Sequence, residues 1–403
     1  MQGSHLAGLL LICGVLPGEN WPGFRGPTRQ GISAETGLPV EFGAEKNLAW
    51  KTPIPGQGWS SPVVWNQHVF LTTATEDGAS CRLLALDAPT GKILWNQEIT
   101  RQPLKRIEKK NSYASPTPTT DGRTVYAVCG DGTFAAYDFR GRRQWINRDY
   151  PHYSQHGLGS SPVLANGLLI MARDGSAETG DLKVGWQKPW DQSYVVALDP
   201  KTGKERWKAR RGLSRIAHVT PNVKGALLVS GAGDVVQGFD LPSGKLLWTG
   251  ASQGEGVVPS VVLGEQMAYT ASGFEKPTIR AFRLDGSLAW EQTKGVPMIP
   301  SLLLKGNYLY AITTNGVAQC MDAATGEVLN QQRVGGNFSA SPVWAEGRIY
   351  FASEEGEVVV VREGQGMEVL ARNALGEMIQ ASPAISGGRL FVRTATHLWA
   401  FRQ

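Results

Sequence analysis

The chain has 403 residues, with 40 Lys and Arg against 35 Asp and Glu, a formal net charge of +5. That excess is mild, and no basic patch is interleaved with aromatics, which excludes a nucleic-acid surface and favours solubility. Four cysteines are too few for a disulfide framework or a zinc site, while 49 glycines and 23 prolines suit a β-protein rich in tight turns.

Residues 6–16 form an apolar stretch, too short to span a bilayer and suited to a signal-peptide core. No Lys or Arg precedes it, and Leu16-Pro17-Gly18 departs from a small-x-small cleavage site. The pattern predicts a leader over 1–18, an extension over 19–47, and export to the bacterial periplasm or cell envelope without a transmembrane span. From residue 48 to the end, one phrase recurs. It opens on a proline at Pro62, Pro116, Pro162, Pro221, Pro259, Pro300, Pro342 and Pro383. It closes on Trp50, Trp95, Trp145, Trp207, Trp248, Trp290, Asn330 and Leu370. Short β-branched and aromatic runs lie between, such as Val125–Val128 and Arg348–Ala352. A shared period of roughly 40 residues is that of a four-stranded propeller blade. The expected fold is an all-β, eight-bladed propeller over 48–403, with seven blades as the alternative. No closing Trp follows the last strand, so Leu48-Ala49-Trp50-Lys51 is expected to complete the final blade and remove a free edge.

Within the repeat, an Asp-x-x-Thr-Gly turn recurs around Asp87, Asp138, Asp199, Asp240 and Asp322. Arg283, Arg362 and Arg402 replace the Asp elsewhere, so these aspartates read as turn caps rather than catalysts. The Trp column reads as wedge packing between blades, weakened around blades six and seven by Asn330 and Leu370. Cys13 leaves with the leader. Cys81 and Cys129 fall in adjacent blades and can pair on export, but they and Cys320 read first as buried thiols on strands.

Propeller ligands use the central funnel, whose mouth is lined by the residues entering each inner strand. Three positions before each proline stand Trp59, Tyr113, Gly159, His218, Gly256, Pro297, Ser339 and Gln380, a column that differs in every blade. Trp59 and Tyr113 can stack on a planar ligand. Arg173 and Arg215 can meet carboxylates, and Glu255 and Asn337 are hard oxygen donors suited to calcium. His218 and His156 show no recurring ligand spacing, so no metal site is assigned. Two insertions break the repeat. One carries Arg101, Lys105, Arg106, Lys109 and Lys110 and suits an acidic partner or surface. The other, 174–193, carries Trp186 and Trp190, as an exposed interaction patch or a lid over the funnel.

The Ser-Pro opening, the Ala-Leu-Asp-x-x-Thr-Gly turn and the closing Trp resemble the pyrroloquinoline quinone (PQQ) repeat family over about residues 48–403. Trp21-Pro22-Gly23-Phe24-Arg25-Gly26-Pro27 is similar to the start of exported bacterial PQQ-like repeat proteins. The resemblance implies one of two branches. Quinoprotein dehydrogenases hold PQQ and calcium in the funnel and oxidise alcohols or sugars. A non-catalytic branch, similar to BamB, serves in the cell envelope. No two cysteines here are adjacent, unlike the Cys-Cys pair of many dehydrogenases, and no motif matches their Asp base or calcium ligands. No catalytic residue is therefore assigned. A polysaccharide-cleaving propeller would need paired carboxylates, and only Glu255 stands near a mouth position. The expectation is an exported, non-catalytic scaffold for a protein or envelope polymer. A dehydrogenase holding PQQ and calcium is the alternative.

Overall fold

The computed structural model describes residues 18–254 and 257–403. Eight four-stranded antiparallel sheets form an eight-bladed β-propeller, with no helices among the described residues. Blades one to seven occupy 63–101, 119–147, 163–210, 222–251, 262–292, 303–333 and 343–374. Blade eight takes 384–401 and, as its outermost strand, Leu48–Pro53, which pairs antiparallel with His397–Phe401. The expected closure by the N-terminal strand is thus present. It leaves the ring without an unpaired blade.

Burial follows the layering. The second and third strands lie between neighbouring sheets on both faces, so runs such as Val125–Val128 and Val358–Val361 are buried throughout. Fourth strands face solvent on one side, and their residues are mostly half-buried or exposed.

The two repeated motifs mesh across blade boundaries. Trp50, Trp145 and Trp207 each lie over the Asp-led, Gly-closed turn of the next blade. Trp50 Nε1 donates to Ala88 O at 2.9 Å, Trp145 to Pro200 O at 2.9 Å, and Trp207 to Leu241 O at 3.0 Å. In each case the acceptor follows the turn's Asp, whose carboxylate caps the turn: Asp199 Oδ1 accepts from Lys201 N and Thr202 N. The turn's glycine has two reasons to be glycine. Gly203 has φ of 69°, and a Cβ there would sit 2.6 Å from the Trp145 ring.

Asn330 keeps part of this contact, donating from Nδ2 to Gln365 O at 2.7 Å. In blade seven the register differs from the sequence alignment. Val360 pairs with Ala371, so Ala371 and not Leu370 stands at the Trp position. The preceding turn is one residue longer there: Arg362 N bonds to Glu368 O, where Asp322 N bonds to Glu327 O.

A second correction concerns the cysteines. Cys81 and Cys129 form a disulfide between blades one and two, with Cα atoms 6.0 Å apart, while Cys320 is a free buried thiol. Both partners project from neighbouring sheets into the same core layer.

The extension after residue 18 is a plug across one end of the channel. Trp21 exchanges two backbone hydrogen bonds with Val64 of blade one, and Thr120 N of blade two donates to Pro22 O. Arg29 Nε reaches Asn222 of blade four, Gln30 Oε1 accepts from Leu263 N of blade five, and Arg25 Nη2 donates to Leu302 O of blade six. Trp344 O of blade seven accepts from Ser33 N, and Ser386 of blade eight donates to Glu19 O. Arg25 is fully buried here, and burial lowers its guanidinium to about 9.

Candidate functional site: a capped funnel

The inner strands converge on a ring of hydroxyls. Ser61 N donates to Thr117 Oγ1, Thr117 N to Ser161 Oγ, and Ser161 N to Thr220 Oγ1. The chain continues through Ser260, Ser301, Ser341 and Ser382 at 2.9–3.1 Å per link. Each blade thus contributes one buried Ser or Thr, and in blades two to eight its oxygen is fixed by the amide of the preceding blade's member. Each O–H remains available to a neighbour or to the axis.

This ring corrects the register taken from prolines. In blades one, three, four, seven and eight the hydroxyl precedes the proline; in blades two, five and six it follows, at Thr117, Ser260 and Ser301. Aligned on the hydroxyls, the mouth column two residues earlier reads Trp59, Ser115, Gly159, His218, Val258, Ile299, Ser339 and Gln380. All eight line one central cavity of about 550 Å³. Phe24 of the plug forms its floor. Trp186, Phe274, Met298, Thr314, Asn111 and His156 complete its upper wall.

The two insertions close over the mouth. Lys105 Nζ lies 2.6 Å from Glu178, tying one insertion to the other. Lys110 Nζ lies 2.8 Å from Glu354 of blade seven, and Asn111 Nδ2 donates to His156 O. Of the two insertion tryptophans, Trp186 lines the cavity as a lid would. Trp190 is held at the lid's base, exchanging two backbone hydrogen bonds with Ser214. Both are half-buried, so neither forms the exposed aromatic patch.

The other candidates scatter. Trp59 and His218 meet in the cavity. Tyr113 turns into a second cavity of about 240 Å³ beside Lys105, Arg106 and His152, and its hydroxyl donates to Lys105 O. Arg173 is buried beneath the mouth, donating to Gly132 O and lying 4.7 Å over the Phe134 ring. Arg215 is ion-paired with Glu275 at 2.7 Å and lies 3.6 Å from Asp234. Asn337 is exposed and donates from its amide and side chain to Glu355. Glu255 lies outside the described residues, as do residues 1–17, where the leader is expected. Among the basic insertion residues, Lys105 and Lys110 are engaged as above. Arg101 lies 3.8 Å from Glu98, and Arg106 and Lys109 are exposed.

Electrostatically the lining is nearly neutral. Its charged residues are Glu108 and Lys110, and Lys110 is already paired. Burial, helped by neighbouring His156, lowers His218 to about 3, so its imidazole is neutral at ordinary pH. PQQ carries carboxylates that need cations, and calcium needs several hard oxygen ligands. The described lining offers one carboxylate and one committed cation, and no group of His, Cys, Asp or Glu among the described residues could hold a metal. The residues present do not fit that pair, and no chemical step is derived through it.

Fold and site together define an eight-bladed propeller whose funnel is plugged at one end and strapped at the other. Residues 47–188 and 191–403 match the family model described as outer membrane protein assembly factor BamB, and the chain belongs to that PQQ-like repeat family. BamB of Shewanella oneidensis is 25% identical over 293 residues, covering 70% of this chain and 67% of the relative. Tetrathionate hydrolase of Acidithiobacillus ferrooxidans is 22% identical over 314 residues, covering 76% of this chain. The aligned part spans only 51% of that hydrolase. A europium-containing methanol dehydrogenase superposes with a TM-score of 0.73 over 96% of this chain and 98% of its own, at 11% identity. The computationally designed Ika8 protein superposes with a TM-score of 0.62 at 11% identity, covering 93% of this chain and 99% of its own. A dehydrogenase and a designed protein share this architecture, so the likeness is one of fold. No described helix is long and apolar enough to cross a membrane.

The sequence missed the plug and the hydroxyl ring. Trp21-Pro22-Gly23-Phe24 offered a signal for the first, an aromatic-rich segment with turn residues outside the repeat. For the second, the signal was a Ser or Thr on one side or the other of every repeat proline.

Proposed function

We propose that this chain is an exported, non-catalytic propeller that acts as an interaction scaffold in the bacterial cell envelope, presenting its strapped mouth face to a protein partner. One observation carries the reading. The BamB-type match runs through every blade, while the described funnel lining holds a single carboxylate, Glu108, and so lacks both a pair of carboxylates and a set of calcium ligands. Leu104, Leu182 and Leu213, all on mouth-side loops, are 56%, 57% and 66% exposed, apolar surface that a partner can cover. Arg106 and Lys109 add exposed positive charge beside them. The disulfide supports export, because such bonds persist in oxidising compartments.

The non-catalytic half of the reading is tested by calorimetric titration with PQQ plus calcium, followed by dye-linked oxidation of an alcohol and sugar panel. No saturable heat and no turnover are expected. Stoichiometric binding with turnover would replace the scaffold by a short quinoprotein.

A further inference from the structure

The lining of the central cavity is divided by chemistry. Blades five and six, with their loops, supply Val258, Ile299, Phe274 and Met298, an apolar wall. Blades seven, eight and two supply Ser339, Gln380 and Ser115, neutral hydrogen-bonding groups. Trp59 and Trp186 add flat aromatic surfaces, and the hydroxyl ring lies below.

Three polar atoms in this lining have no hydrogen-bond partner although they are out of solvent: His218 Nδ1, Thr314 Oγ1 and Gln380 Oε1. His218 is only 9% exposed. A buried polar atom without a partner costs about 1–3 kcal/mol, so three around one space call for something that bonds to them. Gly159 keeps the space beside His218 open, since a Cβ there would stand 2.9 Å from the His218 Cβ.

We propose that the capped cavity binds an uncharged, polyhydroxylated molecule of the saccharide class, about one or two sugar rings in size. A sugar ring has an apolar C–H face and a rim of hydroxyls that both donate and accept. The aromatic and apolar walls take the face. The neutral imidazole, the amides and the hydroxyls take the rim. An anionic sugar or a carboxylate cofactor would be buried without a free cation to offset its charge, so the same lining excludes it. Entry is beside the strap, where the lining residues Glu108 and Lys110 are exposed. This inference is independent of any partner on the outer surface.

The test is intrinsic tryptophan fluorescence with calorimetry on the full chain, using glucose, maltose, trehalose and N,N′-diacetylchitobiose as probes and glucuronate as the charged counter-probe. Saturable millimolar or tighter binding of at least one neutral sugar is expected, with glucuronate at least tenfold weaker than glucose. Trp186→Ala, outside the blades, and Gln380→Ala, at the mouth, should each weaken that binding at least tenfold without moving the melting temperature. Leu247→Ala on an outer strand should leave it unchanged. The proposal is overturned if none of the four neutral probes binds, if glucuronate matches glucose, or if neither mouth variant weakens binding.

Discussion

Arg211→Met is expected to cost about 3–5 kcal/mol of stability at pH 8. Arg211 and Asp174 form an ion pair with both side chains essentially inaccessible, Nε to Oδ1 at 2.8 Å. Neither Asp174 oxygen has another partner among the described residues, whereas Arg211 also donates to Ser230 O, Gly231 O and Gln237 Oε1. Removing the guanidinium strands a buried carboxylate. Burial already raises Asp174 from 3.8 to about 7, against the opposing pull of Arg211. The folded state therefore holds a proton that the unfolded chain has released between those values. The stability linked to that proton is full below about pH 4 and is lost as pH rises through about 7. Without Arg211 the rise is larger, so the variant's deficit in urea unfolding should be smaller at pH 5 than at pH 8. Equal deficits at the two pH values would contradict this assignment. Asp174 also begins the insertion that carries Trp186, so the same variant should loosen the lid before the blades melt.

The Cys81→Ala/Cys129→Ala double variant is expected to lose about 4 kcal/mol, the closure entropy of a loop of this length in the unfolded chain. The two residues are 48 positions apart and wholly buried between blades one and two. Thermal and urea midpoints should both fall, and reductant should act on the native protein only under conditions that open that blade boundary. An unchanged midpoint would mean that packing of the two blades carries the stability alone. The loss matters to the site because the insertion Arg101–Asn111 bridges the same two blades and forms the strap.

Much of the fold was legible because the repeat specifies contacts as well as strands. Trp145 and Gly203 belong to different blades, and the Trp145 ring leaves no room for a Cβ at 203. Their repetition therefore encodes the ring itself. Closure by Leu48–Pro53 was legible from the missing final Trp. The funnel column was legible only in part. Prolines made a conspicuous register mark, but the physically aligned atom is the hydroxyl that accepts the neighbouring amide. Where proline precedes the hydroxyl, the count slips by two. That slip selected Tyr113, Gly256 and Pro297 in place of Ser115, Val258 and Ile299. Arg173 and Arg215 drew attention as cations, yet their neighbours come from other blades and no local pattern announces them. The Cys81–Cys129 pairing was open in the sequence, which put the two in adjacent blades, but spacing alone does not distinguish facing sulfurs from two thiols on separate strands.

The scaffold reading is tested most directly by placing a photo-crosslinking residue at Leu213 or Leu182 on the mouth face, and at Leu247 on an outer strand, in cells of the source bacterium. A discrete adduct to one envelope protein from the mouth positions, weakened by Arg106→Ser/Lys109→Ser and absent from Leu247, is the predicted result. Adducts from Leu247 alone, or none from either mouth position, would contradict a scaffold that works through its mouth face.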